Sequence, residues 1–352
     1  KLHQVNLQAM LARRHSYIGA LFVVYMSAAR GTPCSSTGLW VQPPETTRTN
    51  TFLQPTNLLS ISRLVAEVCG RTGAGCKSGI QLANFGAGEY LTPFSNVTTL
   101  DPVNSLLLGT ANARALLVDA DAARLRKAVR ALPPSKVVAL AEHVTPHSVR
   151  NQLQRAGLLG APLSVLKIDI DSFDCDLLMA TLAAGTRPRV IVLEANVKFP
   201  PPLRFSAHFD ERVAVGSRLG KPWGCSLAYQ HAMLGEFGYD LLHLDTLDSV
   251  HVLRSVWPFR SAWPLGGRPC SVQQAYEAGF SEPCRRAERA GWSGGYASLS
   301  AVRAMCRHSE MLLRRSNGSA EQLLEAARKE PTRQDKLQKD KGASLARWTL
   351  VL

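Results

Sequence analysis

Five short apolar runs recur through the middle of this chain, each set apart by a stretch with helical spacing. That alternation restricts the fold more than any other feature of the 352 residues. The runs are GIQLANF (79–85), ARALLVDA (113–120), SKVVALAE (135–142), LSVLKIDI (163–170) and RPRVIVLEA (187–195). Between them lie DPVNSLLLG, DAARLRKAVRAL, TPHSVRNQLQRAG and DCDLLMATLAAG. Strand–helix alternation at this spacing builds a parallel sheet covered by helices on both faces. The expected fold class is α/β, a doubly wound and mostly parallel sheet. NLLSISRLVAEVC, ahead of the first run, is also helix-like, as is GCSLAYQHAMLGEFG. YDLLHLDT and DSVHVLRS read as two short strands joined by a tight turn. NVKFPPPLRFSAHFD reads as a Pro-rich loop. Beyond Pro258 the chain is Arg-rich and irregular, and from about residue 319 it becomes a charged helical tail.

The ends of the chain suggest a division. Arg13, Arg14 and His15 precede YIGALFVVYMSAA, a basic flank followed by an apolar stretch that is short for a bilayer span. Residues 1–31 are expected to be a signal peptide or signal-anchor, with possible membrane association, and residues 32–56 a linker. Residues 57–258 hold the sheet domain and 259–352 a basic extension. The expected localisation is the secretory pathway or a membrane anchor, and the alternative is an organelle or the cytoplasm. The competing reading of 1–31 is a buried N-terminal helix. Eight cysteines fit an oxidising compartment, and Cys69/Cys76 and Cys270/Cys284 are the pairs expected to bond. No pair has C-x-x-C spacing, and no metal site is expected. Asn96 and Asn317 open glycosylation sequons. The net charge of +14 could attract a polyanion, but the basic residues are scattered and aromatics make up only 7%, so no specific nucleic-acid partner is expected. Nothing in the sequence sets the oligomeric state.

In an open parallel sheet, ligands bind beyond the carboxyl ends of the strands, so the ends of the five runs are read together. The first ends Asn84-Phe85-Gly86-Ala87-Gly88, where glycines let backbone approach a ligand. The second ends at Asp119, a carboxylate able to accept both hydroxyls of a ribose. The third ends at Glu142 and His143, the fourth at Asp169 and Asp171, the fifth at Glu194 and Asn196. Period two puts Lys167, Asp169 and Asp171 on one side. Asp174 and Asp176 fall at the start of a helix, where the dipole favours negative charge. For Asp169 and Asp171 the alternative is structural, one capping the helix and the other pairing with Lys167. His208 is a candidate base or a loop histidine, and Lys198 could orient an acidic substrate. His143 and His147 read as cap or surface residues.

Taken together, NFGAGEY, DPVNSLL, LLVDADAARL, LKIDIDSFDCDLL, RPRVIVLEANVKFPPPLRFS and GCSLAYQHAMLGEFGYDLLHLDTLDSVHVLR resemble the FkbM-type branch of S-adenosylmethionine-dependent methyltransferases, over roughly residues 78–256. The resemblance implies a Rossmann-like class I fold of seven strands, the last antiparallel. It implies S-adenosyl-L-methionine as cofactor and a small molecule or glycan as acceptor of an O-methyl group. On that basis Gly86 and Gly88 approach the methionine and ribose, Asp119 holds the ribose, and Glu142 lies near the adenine. Asp169 and Asp171 lie near the donor and acceptor. Asn84 stands where an acidic residue usually opens the glycine motif, and can hydrogen-bond an ammonium without charge. Tyr90 replaces a common third glycine. A protein that keeps the fold without turnover is the alternative. A nicotinamide oxidoreductase is disfavoured because the first loop lacks the full G-x-G-x-x-G.

Overall fold

The structure is a computed structural model of the chain. It describes residues 40–41, 58–59, 61–71, 79–87, 103–104, 106–110, 112–130, 132–211, 223–256, 271–289, 297–339 and 347–352. Each of the five apolar runs contains a strand, shortened at its ends: β1 Gln81–Phe85, β2 Arg114–Val118, β3 Val137–Leu140, β4 Val165–Ile168 and β5 Val190–Glu194. The stretch after β5, read from sequence as a loop, holds a further strand, β6 Arg204–His208. The expected hairpin is β7 Tyr239–Asp245 and β8 Asp248–Leu253, turned at Thr246, whose φ is 56°.

Seven of these strands form one sheet in the order β3-β2-β1-β4-β5-β8-β7. β8 runs antiparallel to both its neighbours, and the pairs among β1–β5 are parallel. The fold is thus the doubly wound α/β class, with the last sheet strand in sequence reversed. The chain builds outward from β1 to β3 and then returns to lay β4 on the other side of β1. That reversal is the switch point where open α/β sheets place their ligands.

Alternate residues of the strands feed two cores, as period two requires. Leu82, Leu117, Val165 and Val192 pack with Leu64, Val65 and Val68 of α1 (Ile61–Arg71) and Leu125 of α2 (Ala122–Arg130). Phe85, Leu116, Ile168 and Leu193 face the other way. They meet Leu153 of α3 (Val149–Arg155) and Leu177, Leu178 and Leu182 of α4 (Asp174–Ala183). α5 (Leu227–Glu236) begins at Ser226, whose buried Oγ accepts the Tyr229 and Phe205 N–H groups and donates to the Leu203 carbonyl.

Beyond residue 258 the structure departs from the irregular chain expected there. A short α6 (Val272–Tyr276) runs through a π-helical turn, Glu277–Ser281, into α7 (Glu282–Arg289). α8 (Ala297–Arg315) and α9 (Ala320–Lys339) follow, and β9 (Arg347–Val351) pairs antiparallel with β6. These elements share cores with the sheet domain. Tyr276 and Phe280 pack with Leu227, Leu241 and Leu244, and the Tyr276 hydroxyl donates to the Val197 carbonyl at 2.6 Å. Leu312, Leu323, Ala327 and Leu350 close over Phe199 and Phe205.

One of the two expected cysteine pairs is overturned. Cys284 bonds Cys306, not Cys270, and Cys175 bonds Cys225. Cys69 is also disulfide-bonded; its expected partner Cys76 lies outside the described residues, as does Cys270. Residues 1–31, the expected signal or anchor, lie outside them too. Among the described residues no helix is long and apolar enough to cross a membrane.

Candidate functional site

The switch point is built by backbone first. Gly86, with φ 87°, follows β1, and the N–H groups of Gly86 and Ala87 both donate to the Val118 carbonyl at the end of β2. The Asp169 N–H donates to the Phe85 carbonyl at 2.9 Å, which ties the end of β4 to the same place. A Cβ on residue 86 would lie 1.7 Å from the Asp169 carbonyl oxygen, so only glycine lets the two strand ends meet. Gly88, the second glycine expected at the cofactor, lies outside the described residues.

Asp119 follows β2 and is buried. Its Oδ1 accepts the Asp121 N–H at 2.7 Å, and its Oδ2 lies 3.8 Å from Arg124. Asp121 caps α2 by accepting the Ala123 and Arg124 N–H groups; those bonds, that from Arg124 foremost, hold its carboxyl below the usual range. Glu142, after β3, is gripped by Arg155 at 2.6 Å and Gln152 at 3.4 Å, and the Arg155 bond lowers its carboxyl. Its carboxylate therefore ties α3 to the end of β3.

The acids of β4 separate into two roles. Asp174 is fully buried and accepts the N–H groups of Ile170 and Ser172, at 2.9 and 3.2 Å. It braces the turn that carries Asp171, an exposed residue with φ 55°. Burial, reinforced by the charge of Asp169, pushes the Asp174 carboxyl up to about 7, against the pull of its N–H donors. Asp176 leaves the site altogether and binds β6, accepting from the Phe209 N–H at 2.8 Å and bonding His208.

Asp169 pairs with Lys167 at 3.1 Å, and both are buried or nearly so. Lys167 stands in register with Asn84 of β1, whose amide donates to Asn104 at 3.0 Å. On the other side, Glu194 ends β5 and stands opposite Asp248 of β8. Burial drives the Glu194 carboxyl well above its ordinary range, with Asp169, Asp174, Asp171 and Asp248 adding to the effect. Asp169, Asp171 and Glu194 each bring one carboxylate oxygen within 4.8 Å of the other two. The structure thus brings the ends of the fourth and fifth runs into one group. Asn196 is committed elsewhere, donating to the Trp223 carbonyl and accepting the Lys198 N–H.

His208 is not in that group. Its Nδ1 meets Asp176 Oδ1 at 3.1 Å and its Nε2 meets Thr349 Oγ1 at 2.7 Å, so both ring nitrogens are occupied in clasping β6 to α4 and β9. This candidate base thus acts as a clasp in the structure, apart from the acid group. Lys198 lies 5.8 Å over the Trp223 ring, and His147 pairs at the surface with Glu211. The bond to Asp176 raises the His208 pKa although burial opposes it. A raised folded-state value gives stabilisation that is complete below the unfolded value near 6.5 and is lost as pH rises through the folded one. The melting temperature is therefore expected to fall as pH rises above 6.5 and through the raised His208 value, and to fall less in Asp176→Asn. An equal fall in both proteins would show that the clasp does not carry the effect.

No protein-family profile matches this chain, and no curated protein does. Solved structures do. The methyltransferase domain of bacterial CtHen1-C is 15% identical with a TM-score of 0.31, covering 55% of this chain and 97% of that one. A protein from Thermobifida fusca YX, described as a methyltransferase, is 16% identical with a TM-score of 0.30, covering 61% and 76%. Likeness at this level carries nothing about the fold or the reaction; the fold class rests on the strand order.

Proposed function

We propose that this chain is an S-adenosyl-L-methionine-dependent methyltransferase acting on a hydroxyl of a small molecule or glycan. The observation that supports it best is the convergence of three strand ends at the reversal of strand order. There Gly86 lies against the Asp169 backbone and both turn N–H groups hold the end of β2, just before Asp119. Transfer is an in-line displacement at a sulfonium methyl, so positioning dominates the rate. The acceptor hydroxyl must lose a proton, and Asp169 and Asp171 are the carboxylates at the place where it would do so. Asp119 would hold the ribose through the oxygen that the Asp121 N–H does not engage.

Calorimetry with adenosylmethionine and its demethylated product tests the reading. Asp119→Ala should weaken binding by about 1.5–3 kcal/mol, the range for hydrogen bonds to a charged group. No heat with either ligand would sink the proposal. A second reading, a binding protein without turnover, is favoured by Asn84. Its side chain is uncharged, fully buried and bonded to Asn104. Ligand binding with no transfer of a labelled methyl group to any acceptor would favour that reading.

A further inference from the structure

We propose that Asp169, Asp171 and Glu194 form a binding site for one hard divalent cation, of the magnesium, manganese or calcium class. The ligand oxygens come from the ends of two adjacent strands, and their spacing is set by the pairing of Ile168 with Leu193 immediately before them. Oxygens on opposite sides of a calcium ion are about 4.6–5.2 Å apart, and of a magnesium ion about 4.0–4.2 Å. Three oxygens that all lie within 4.8 Å of one another can therefore close on such an ion with at most a small inward movement.

The carboxylates alone would not carry the assignment; Glu194 does. It is 7% exposed, and its Oε2 is buried with no hydrogen-bond partner. Buried polar atoms in native proteins are almost always satisfied, because an unmet one costs about 1–3 kcal/mol. This oxygen belongs to the carboxylate that meets two further acids, where a cation is the partner it lacks. The donor set is all carboxylate, without histidine or cysteine, which selects hard cations over zinc or copper. Lys167, 3.1 Å from Asp169, sets a positive charge beside the carboxylates. It lowers the expected affinity to about 10⁻⁴–10⁻³ M, the weak end of protein calcium sites. Positions that the carboxylates leave open would take water or an oxygen of a bound molecule. That this molecule is the methyl acceptor rests on the function proposed above; the cation site itself does not.

The test is titration of Mn²⁺ into the full chain without any methyl donor, following loss of the free-ion electron paramagnetic resonance signal. One Mn²⁺ per chain is expected, displaced by Ca²⁺ or Mg²⁺. Glu194→Gln and Asp171→Asn should each weaken binding tenfold or more. Asp171 is exposed and has a positive φ that asparagine tolerates. That variant therefore still tests the site if a glutamine at position 194 disturbs the fold. No saturable binding at several millimolar Mn²⁺, or binding unchanged in Asp171→Asn, would overturn the site. With no cofactor present, either result leaves the methyltransferase reading to its own experiment.

Discussion

Gly86→Ala is expected to destabilise the protein by about 2–5 kcal/mol, the sum of overpacking and left-handed backbone strain. The added Cβ would sit 1.7 Å from the Asp169 carbonyl oxygen, on a residue with φ 87°. Neither side can yield. The Asp169 N–H is bonded to Phe85, and Ile168 is paired to both Phe85 and Leu193. Gly157→Ala is the matched control. Its φ is 67°, but nothing lies within 4 Å of the new Cβ, so only the conformational part applies, about 1–2 kcal/mol. Chemical denaturation of both variants separates the two causes. Equal losses would mean that the strand ends at the switch point are not in contact.

Asp174→Ala should cost about 2–5 kcal/mol, because it leaves the N–H groups of Ile170 and Ser172 without their acceptor inside the fold. Those two groups frame the turn that presents Asp171, so the same change should abolish Mn²⁺ binding at the acid group. Asp174→Asn keeps one acceptor oxygen and should fall between the wild type and alanine in both measurements. A folded Asp174→Ala protein with normal melting would show that the turn is held by the disulfide beside it, Cys175–Cys225, rather than by the carboxylate.

What could be read from the sequence follows from where the information lies. β1, β2, β4 and β5 lie inside the sheet, and such strands announce themselves as apolar runs whose period is visible locally; the edge strand β3, though half exposed, keeps the apolar VVAL run. β6 gives no such signal. RFSAH lies among prolines, and its pairing partner Arg347–Val351 lies some 140 residues later in the chain, so nothing nearby marks it as a strand. α8 was hidden by its arginines. Val302, Cys306, Ser309 and Leu312 make a buried stripe at helical spacing, but their neighbours are charged. The candidate site divides the same way. Asp169 and Asp171 were legible as acids ending an apolar strand. Glu194 was legible only as another strand end, because its meeting with them depends on the register of β4 against β5. Asp176 and His208 carried the right chemistry for a site, yet they serve each other, a pairing that spans 32 residues. Cysteine connectivity is set by distances in space, and spacing along the chain pointed Cys284 to the wrong partner.

The pairing of β6 with β9 also fixes the order in which this protein can be completed during synthesis. β6 leaves the ribosome before residues 347–351 exist, and at about 5–20 residues per second it waits roughly 7–28 s for them. Over that interval one edge of Arg204–His208 is without its partner strand, and Phe199, Phe205 and Ala207 lack the cover of Leu312, Leu323, Ala327 and Leu350. An uncovered apolar strand edge is a template for pairing with other chains. The nascent protein therefore keeps this edge open for as long as its late segment is missing, even though the seven-stranded sheet closes with residue 253.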